Sequence, residues 1–177
     1  MDKSKNVMYI FDNSRKYRGN AIQGIGSSAF PGHSLNSVSI PCSVTHIGFM
    51  AFAMNDFTHV YIPDSVTYIG EAAFIANNSM TSITFGNNVE IIMTSAFWTT
   101  GLERVTFPAS VTYIGNHAFD DTDLTEITIL GNDVTIYNFT FVLSPTAENS
   151  PCNFYINFGP NPQPGTFRWI AGDWVRQ

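Results

Sequence analysis

Four histidines, two cysteines and one acidic run are the residues of this chain with the types needed for catalysis or metal binding. His33, His46, His59 and His117 fall at scattered positions, and no pair has the spacing of a zinc site. Cys42 and Cys152 lie 110 residues apart in unlike segments, which reads as two buried or semi-buried free thiols rather than a disulfide framework. Asp120-Asp121-Thr122-Asp123 presents oxygen ligands of the kind Ca²⁺ takes. It lacks the Asp-x-Asp-x-Asp-Gly spacing with a distal Glu, so a solvated loop tip is favoured. No Ser–His–Asp or Cys–His order and no glycine-rich phosphate loop is legible; Gly24-Ile25-Gly26 belongs to a repeated pattern. The residues therefore assign no catalytic, cofactor-binding or metal-binding role, and the chain reads as a non-enzyme.

What remains is recognition chemistry. Five short apolar alternations are each flanked by outward positions: Ser37 and Ser39, His59 and Tyr61, Ser82 and Thr84, Arg104 and Thr106, Glu126 and Thr128. The candidate partner-binding residues are His59, Tyr61, Thr84, Arg104, Thr106, Glu126 and Thr128. Tyr61 and Arg104 are the anchors, because tyrosine and arginine dominate binding hot spots. The competing reading is a solvated face with an Arg104–Glu126 cross-strand pair worth under about 1 kcal/mol. A second candidate is a platform for sugar rings made by Tyr155, Trp169 and Trp174, with Phe167 beside them. Its competitor is a hydrophobic lid closing the end of the fold.

The elements that position these residues are repeats. Phe recurs at Phe30, Phe52, Phe74, Phe97, Phe119 and Phe141, at spacings of 22, 22, 23, 22 and 22. Ile runs five residues ahead, from Ile25 to Ile136, and a small residue precedes Phe in five of the six units. Gly follows Ile at Gly26, Gly48, Gly70 and Gly115, with Met93 and Tyr137 as departures. Upstream stand Leu35, Phe57, Met80, Leu102 or Leu124, then an alternating pair such as Val60 and Ile62. Pro follows at Pro41, Pro63 and Pro108, replaced by Gly86 and Leu130 in the other units. The alternating pair predicts a short strand buried on one face. Pro, which cannot donate to a ladder, ends it. A unit of about 22 residues buries its apolar side only by stacking on neighbours. The extra residue of the 23-residue unit falls in the loop Ala76-Asn77-Asn78-Ser79, where an insertion leaves the core undisturbed.

The segments SVTHIGFMAF, SVTYIGEAAF and SVTYIGNHAF resemble the BspA-like class of leucine-rich repeats, over roughly Ala21 to Phe141. The resemblance implies a right-handed α/β solenoid, mostly β, of about six units, with the strands on its concave side. It implies a surface or secreted protein that binds host proteins or other cells, with no catalytic residues. FGNNVEIIMTSAF and ILGNDVTIYNFTF depart from the pattern but keep the Ile and Phe columns.

The whole chain reads as one repeat domain, with residues 1–20 as an N-terminal cap that includes a strand near Val7 to Phe11. Residues 142–177 form a C-terminal cap ending in an aromatic hairpin. Of 177 residues only 12% are charged, and the net charge is −6. From Gly19 to Phe167 the only Lys or Arg is Arg104, against eleven acids. Such a body is a poor match for nucleic-acid phosphates or anionic lipid, and no apolar run spans a bilayer. MDKSKNVMYIF has too short an apolar run for a secretory signal. The chain is either not exported by that route or a mature fragment behind an added Met. Asn77-Asn78-Ser79 and Asn138-Phe139-Thr140 fit the N-glycosylation pattern, which has no meaning in a bacterial chain.

The first functional reading is a binding module for a protein partner. Glycan binding through the terminal aromatics and a structural spacer within a larger surface protein are the alternatives. An ice-binding face built on Thr45, Thr67 and Thr112 is the weakest, because Glu90 interrupts the column.

Overall fold

The computed structural model describes residues 7–9, 22–136, 164–170 and 173–177. Its strands in chain order are β1 Val7–Tyr9, β2 Gly24–Ile25, β3 Ser37–Ser39, β4 His46–Ile47, β5 His59–Tyr61, β6 Tyr68–Ile69 and β7 Ser82–Thr84. There follow β8 Ile91–Ile92, β9 Arg104–Phe107, β10 Tyr113–Ile114, β11 Glu126–Ile129, β12 Thr135–Ile136, β13 Gly165–Ile170 and β14 Asp173–Arg176. No helix occurs among the described residues, so the coil is built of strands and turns alone.

Each coil of the solenoid contributes two strands. The V-x-I alternation makes the longer one, and the residues around the Ile column make the shorter. The shorter strands β2, β4, β6, β8, β10 and β12 pair in parallel into one six-stranded sheet. The longer strands stack in parallel as β1 on β3, β5 on β7 and β9 on β11. Backbone bonds just ahead of the strands bridge the intervals, from Asp56 N–H to Leu35 O at 3.0 Å and from Glu103 N–H to Thr81 O at 3.4 Å. The last of these strands, β11, pairs antiparallel with β13, and β13 with β14, which forms a hairpin beyond the last rung.

The I-G-x-x-A-F segment closes each coil on a third face. Alternate N–H groups there donate to the next coil: Phe30 to Ala51 O, Phe52 to Ala73 O, Phe74 to Ala96 O and Phe97 to Ala118 O, each at 2.8 Å. The tight turn needs left-handed backbone two residues before and two after the Phe. Hence non-glycine residues sit at positive φ in successive coils, among them Met50 and Met54, Ala72 and Ala76, and Ser95 and Thr99. Left-handed backbone costs an L-residue roughly 1–2 kcal/mol. The inter-coil bonds made by these same N–H groups hold it in place.

The interior is a ladder of rings. Phe30, Phe52, Phe74, Phe97 and Phe119 stack in sequence with centroids 5.6, 5.3, 5.3 and 5.1 Å apart and planes within 21° of parallel. Each stacked pair contributes roughly 0.5–1.5 kcal/mol beyond its buried area. Ala51, Ala73, Ala96 and Ala118 are fully buried beside the rings, which is why that column stays small. The Leu, Val and Ile columns fill the rest of the core. At Gly48, Gly70 and Gly115 the Gly column marks backbone contact between coils: a Cβ at Gly115 would lie 2.5 Å from Thr94 N. Gly86, standing where other units carry Pro, meets the same constraint, with a Cβ 2.6 Å from Asp64 N.

A second column, three residues after Phe52, Phe74, Phe97 and Phe119, escapes the sequence reading. Asn55 Nδ2 donates to Phe30 O, Phe52 O and Ala53 O, and its Oδ1 accepts from His33 N–H and Leu35 N–H. Asn77 Nδ2 donates to Phe52 O and Phe74 O. Thr100 and Thr122 hydroxyls donate to Phe97 O and Phe119 O. These buried side chains satisfy carbonyls that the tight turn leaves without a backbone donor. Asn77 is 0% exposed. It therefore cannot accept a glycan in the folded chain, whatever its sequence pattern; Asn138 lies outside the described residues.

Candidate functional site

The outward side chains of the longer strands form two rows, because residues alternate across a strand and the coils stack in register. One row holds His59 opposite Ser82, then Arg104, Glu126 and Arg168 as successive register partners. The other holds Tyr61 opposite Thr84, then Thr106, Thr128 and Thr166. His59, Tyr61, Ser82, Thr84, Arg104 and Thr106 are exposed, while Glu126 and Thr128 are half-buried. All seven residues picked from the sequence for partner binding lie on this one face.

Their contacts differ from one expectation. Glu126 does not pair with Arg104. Its Oε2 accepts from Arg168 Nε at 2.7 Å, because the antiparallel β13 places Arg168 directly opposite. Thr128 is drawn in the same way, its hydroxyl 2.9 Å from that of Thr166. Among the described residues Arg104 retains only a 3.9 Å approach to Glu103, its chain neighbour, and both side chains are more than half exposed. His59 Nδ1 lies 2.9 Å from Ser82 Oγ.

A depression of about 480 Å³ opens on this face. Thr84, Arg104 and Thr106 line it with Ser82 and Glu103, and Phe85 and Leu130 add apolar surface. Leu130 is 54% exposed. Sequence reasoning missed Leu130, Phe85 and Arg168. The available signal for Leu130 was its place in the Pro column, where it departs from the repeat.

The other candidates resolve separately. Tyr155 lies outside the described residues. Trp169 and Trp174 occupy facing positions in the β13–β14 hairpin, and Phe167 is half-buried against the core. Asp120 is buried and hydrogen-bonded to His117 Nδ1, and Thr122 belongs to the buried column. The acidic run is thus solvated only in part: Asp123 is exposed and Asp121 half-buried, while the turn geometry that buries Thr122 also draws Asp120 inward. No cluster of three or more His, Cys, Asp or Glu suited to a metal occurs among the described residues. Cys42 is a free thiol but exposed rather than buried, because it follows Pro41 on the outward side of the turn. The hydroxyls of Thr45, Thr67 and Thr112 donate to carbonyls of the preceding coil at 2.9, 3.4 and 3.3 Å. They reinforce the short-strand sheet, which gives that column a structural role and removes the reason for an ice-binding reading. Among the described residues, no helix is long and apolar enough to cross a membrane.

Comparison with known proteins agrees with this architecture. The model of the BspA type leucine rich repeat region matches residues 20–147 in six copies. No curated protein matches the sequence. The chain is similar to the pneumococcal vaccine antigen PcpA at 26% identity and a TM-score of 0.58, over 61% of this chain and 28% of that one. It is similar to a leucine-rich repeat protein from Bacteroides ovatus at 23% identity and a TM-score of 0.50, over 70% of this chain and 43% of that one. The chain spans less than half the length of either protein. Matched over 20–147 of its 177 residues, it belongs to the BspA-type leucine-rich-repeat family.

Proposed function

We propose that this chain is a non-enzymatic binding module that holds a protein partner on its long-strand face and works at or outside the cell surface. The observation that carries this reading is the two-row face itself. It is exposed from His59 to Thr106 and contains a depression beside Arg104. The Phe ladder and three inter-coil hydrogen-bond networks hold it rigid. A rigid surface loses little conformational entropy on binding. Tyr61, 53% exposed, and Arg104 are the side-chain types that anchor such contacts. The likeness to PcpA, described as a vaccine antigen, supports the surface placement.

The test is label-free binding of the purified chain to a panel of extracellular proteins and glycans, beside a variant with Tyr61→Ala and Arg104→Ala. Binding to a protein that disappears in the variant supports the reading. Binding that survives moves the site to the turns or the C-terminal hairpin. Binding to glycans alone, or to nothing on the panel, counts against it.

A further inference from the structure

Resting on that reading, we infer that the depression around Arg104 is a carboxylate receptor for an extended acidic segment of the partner, with an apolar side chain of that segment seated against Leu130. Three observations carry this. First, the fold leaves Arg104 only a loose counter-ion among the described residues. Register places Glu126 beside it, but Arg168 takes that carboxylate at 2.7 Å. The approach to Glu103 is longer, at 3.9 Å, and solvated on both sides. Second, Arg104 is the only Lys or Arg from Gly19 to Phe167, amid eleven acids. An acidic ligand is repelled by most of the body and admitted where this guanidinium stands; the other guanidinium of the row, Arg168, is already paired with Glu126, so Arg104 sets the ligand's register. A guanidinium takes a carboxylate through two parallel N–H donors. The hydroxyls of Ser82, Thr84 and Thr106 around it supply further donors.

Third, the lining of the depression combines Arg104 and hydroxyl side chains with the exposed apolar Leu130. Leu130 lies four residues beyond Glu126, the register partner of Arg104, which is roughly 13 Å along the strand direction. In an extended segment lying parallel to the strands, residues i and i+4 face the same way. The geometry thus selects an acid and an apolar residue about four positions apart.

The inference is tested by panning phage-displayed random nonapeptides on the intact chain, then measuring the enriched peptides as synthetic ligands. The expected peptides carry Asp or Glu and, about four positions away, Leu, Ile, Phe or Met. Arg104→Gln, at an exposed position that leaves the core intact, is expected to weaken them by roughly tenfold or more. Arg104→Lys retains part of the affinity, Leu130→Ser loses several-fold, and added salt weakens binding. Peptides without an acid, no enriched peptide, or displacement by free glucuronate with no peptide preference would each overturn the inference. Binding lost in Tyr61→Ala but unchanged in Arg104→Gln would overturn it while leaving the strand-face reading standing. Binding unaffected by either variant would remove both.

Discussion

Phe74 and Phe97 stack with centroids 5.3 Å apart and planes only 4° from parallel, although they bracket the single unit that is one residue longer than the others. The extra residue is accommodated at Asn78 and Ser79, which are exposed, while Asn77 and Met80 on either side stay buried. Ring stacking across coils thus dominates the local geometry, and the loop adjusts to it.

Substituting rings along the ladder should reveal this. Phe74→Ala removes a ring stacked on both sides and fully buried, at an expected cost of about 3–5 kcal/mol. Phe30→Ala removes a partly buried ring that stacks, among the described residues, on Phe52 alone, and should cost clearly less. Urea denaturation of both variants measures the difference; equal losses would mean that the ladder contributes no more than buried area.

Deleting Ser79 restores a 22-residue unit and should change stability by no more than about 1 kcal/mol, since loop length carries a small entropic term. Deleting Ser82 instead shifts Ile83 and Thr84, the later residues of β7, to opposite faces and should prevent folding of that coil. Near-UV circular dichroism and thermal melts of the two deletions separate these outcomes.

The buried column after Phe52, Phe74, Phe97 and Phe119 allows a graded comparison. Asn55 uses both ends of its amide, accepting from His33 and Leu35 and donating to three carbonyls. Asn77 Oδ1 has no such donor. Asn55→Ala should therefore be more destabilising than Asn77→Ala by about 1 kcal/mol or more, because it strands additional buried N–H groups. Chemical denaturation of the pair is the measurement; a larger loss at Asn77 would contradict the account.

Two backbone positions should respond with opposite signs. Gly115→Ala places a Cβ against Thr94 N and should destabilise by roughly 1–3 kcal/mol. Met54→Gly relieves left-handed strain at φ 54 in a side chain that is 51% exposed, and should stabilise by up to about 1 kcal/mol after the entropy of glycine is counted. Thermal melting temperatures of the two variants report both signs.

Arg168→Ala tests how the hairpin shapes the site. Its loss should cost under about 1 kcal/mol, as an exposed pair does. It should nonetheless weaken acidic-peptide binding, because the released Glu126 becomes available to Arg104 across the strand. Calorimetric titration with an enriched peptide checks this; unchanged affinity would show that Glu126 does not compete.

The repeat period, the longer strands, the apolar buried columns and the seven residues of the outward face were legible in the sequence, while the six short strands around the Ile column and the buried Asn and Thr column were not. Each is a local consequence of periodicity: alternation sets the face of a strand, and a fixed 22-residue step brings like positions into register. The family resemblance rested on the same columns. Tertiary structure alone decided which charges meet. The separation of Arg104 from Glu126 depends on an antiparallel strand that begins some forty residues later and has no place in the repeat. The inward position of Asp120, the outward position of Cys42 and the buried role of Asn77 depend on backbone conformation at a turn, where polar residue types look alike in sequence. Periodic patterns encode what each unit does to its neighbour; the pairing at the last rung belongs to a segment outside the period, and only the folded chain brings it there.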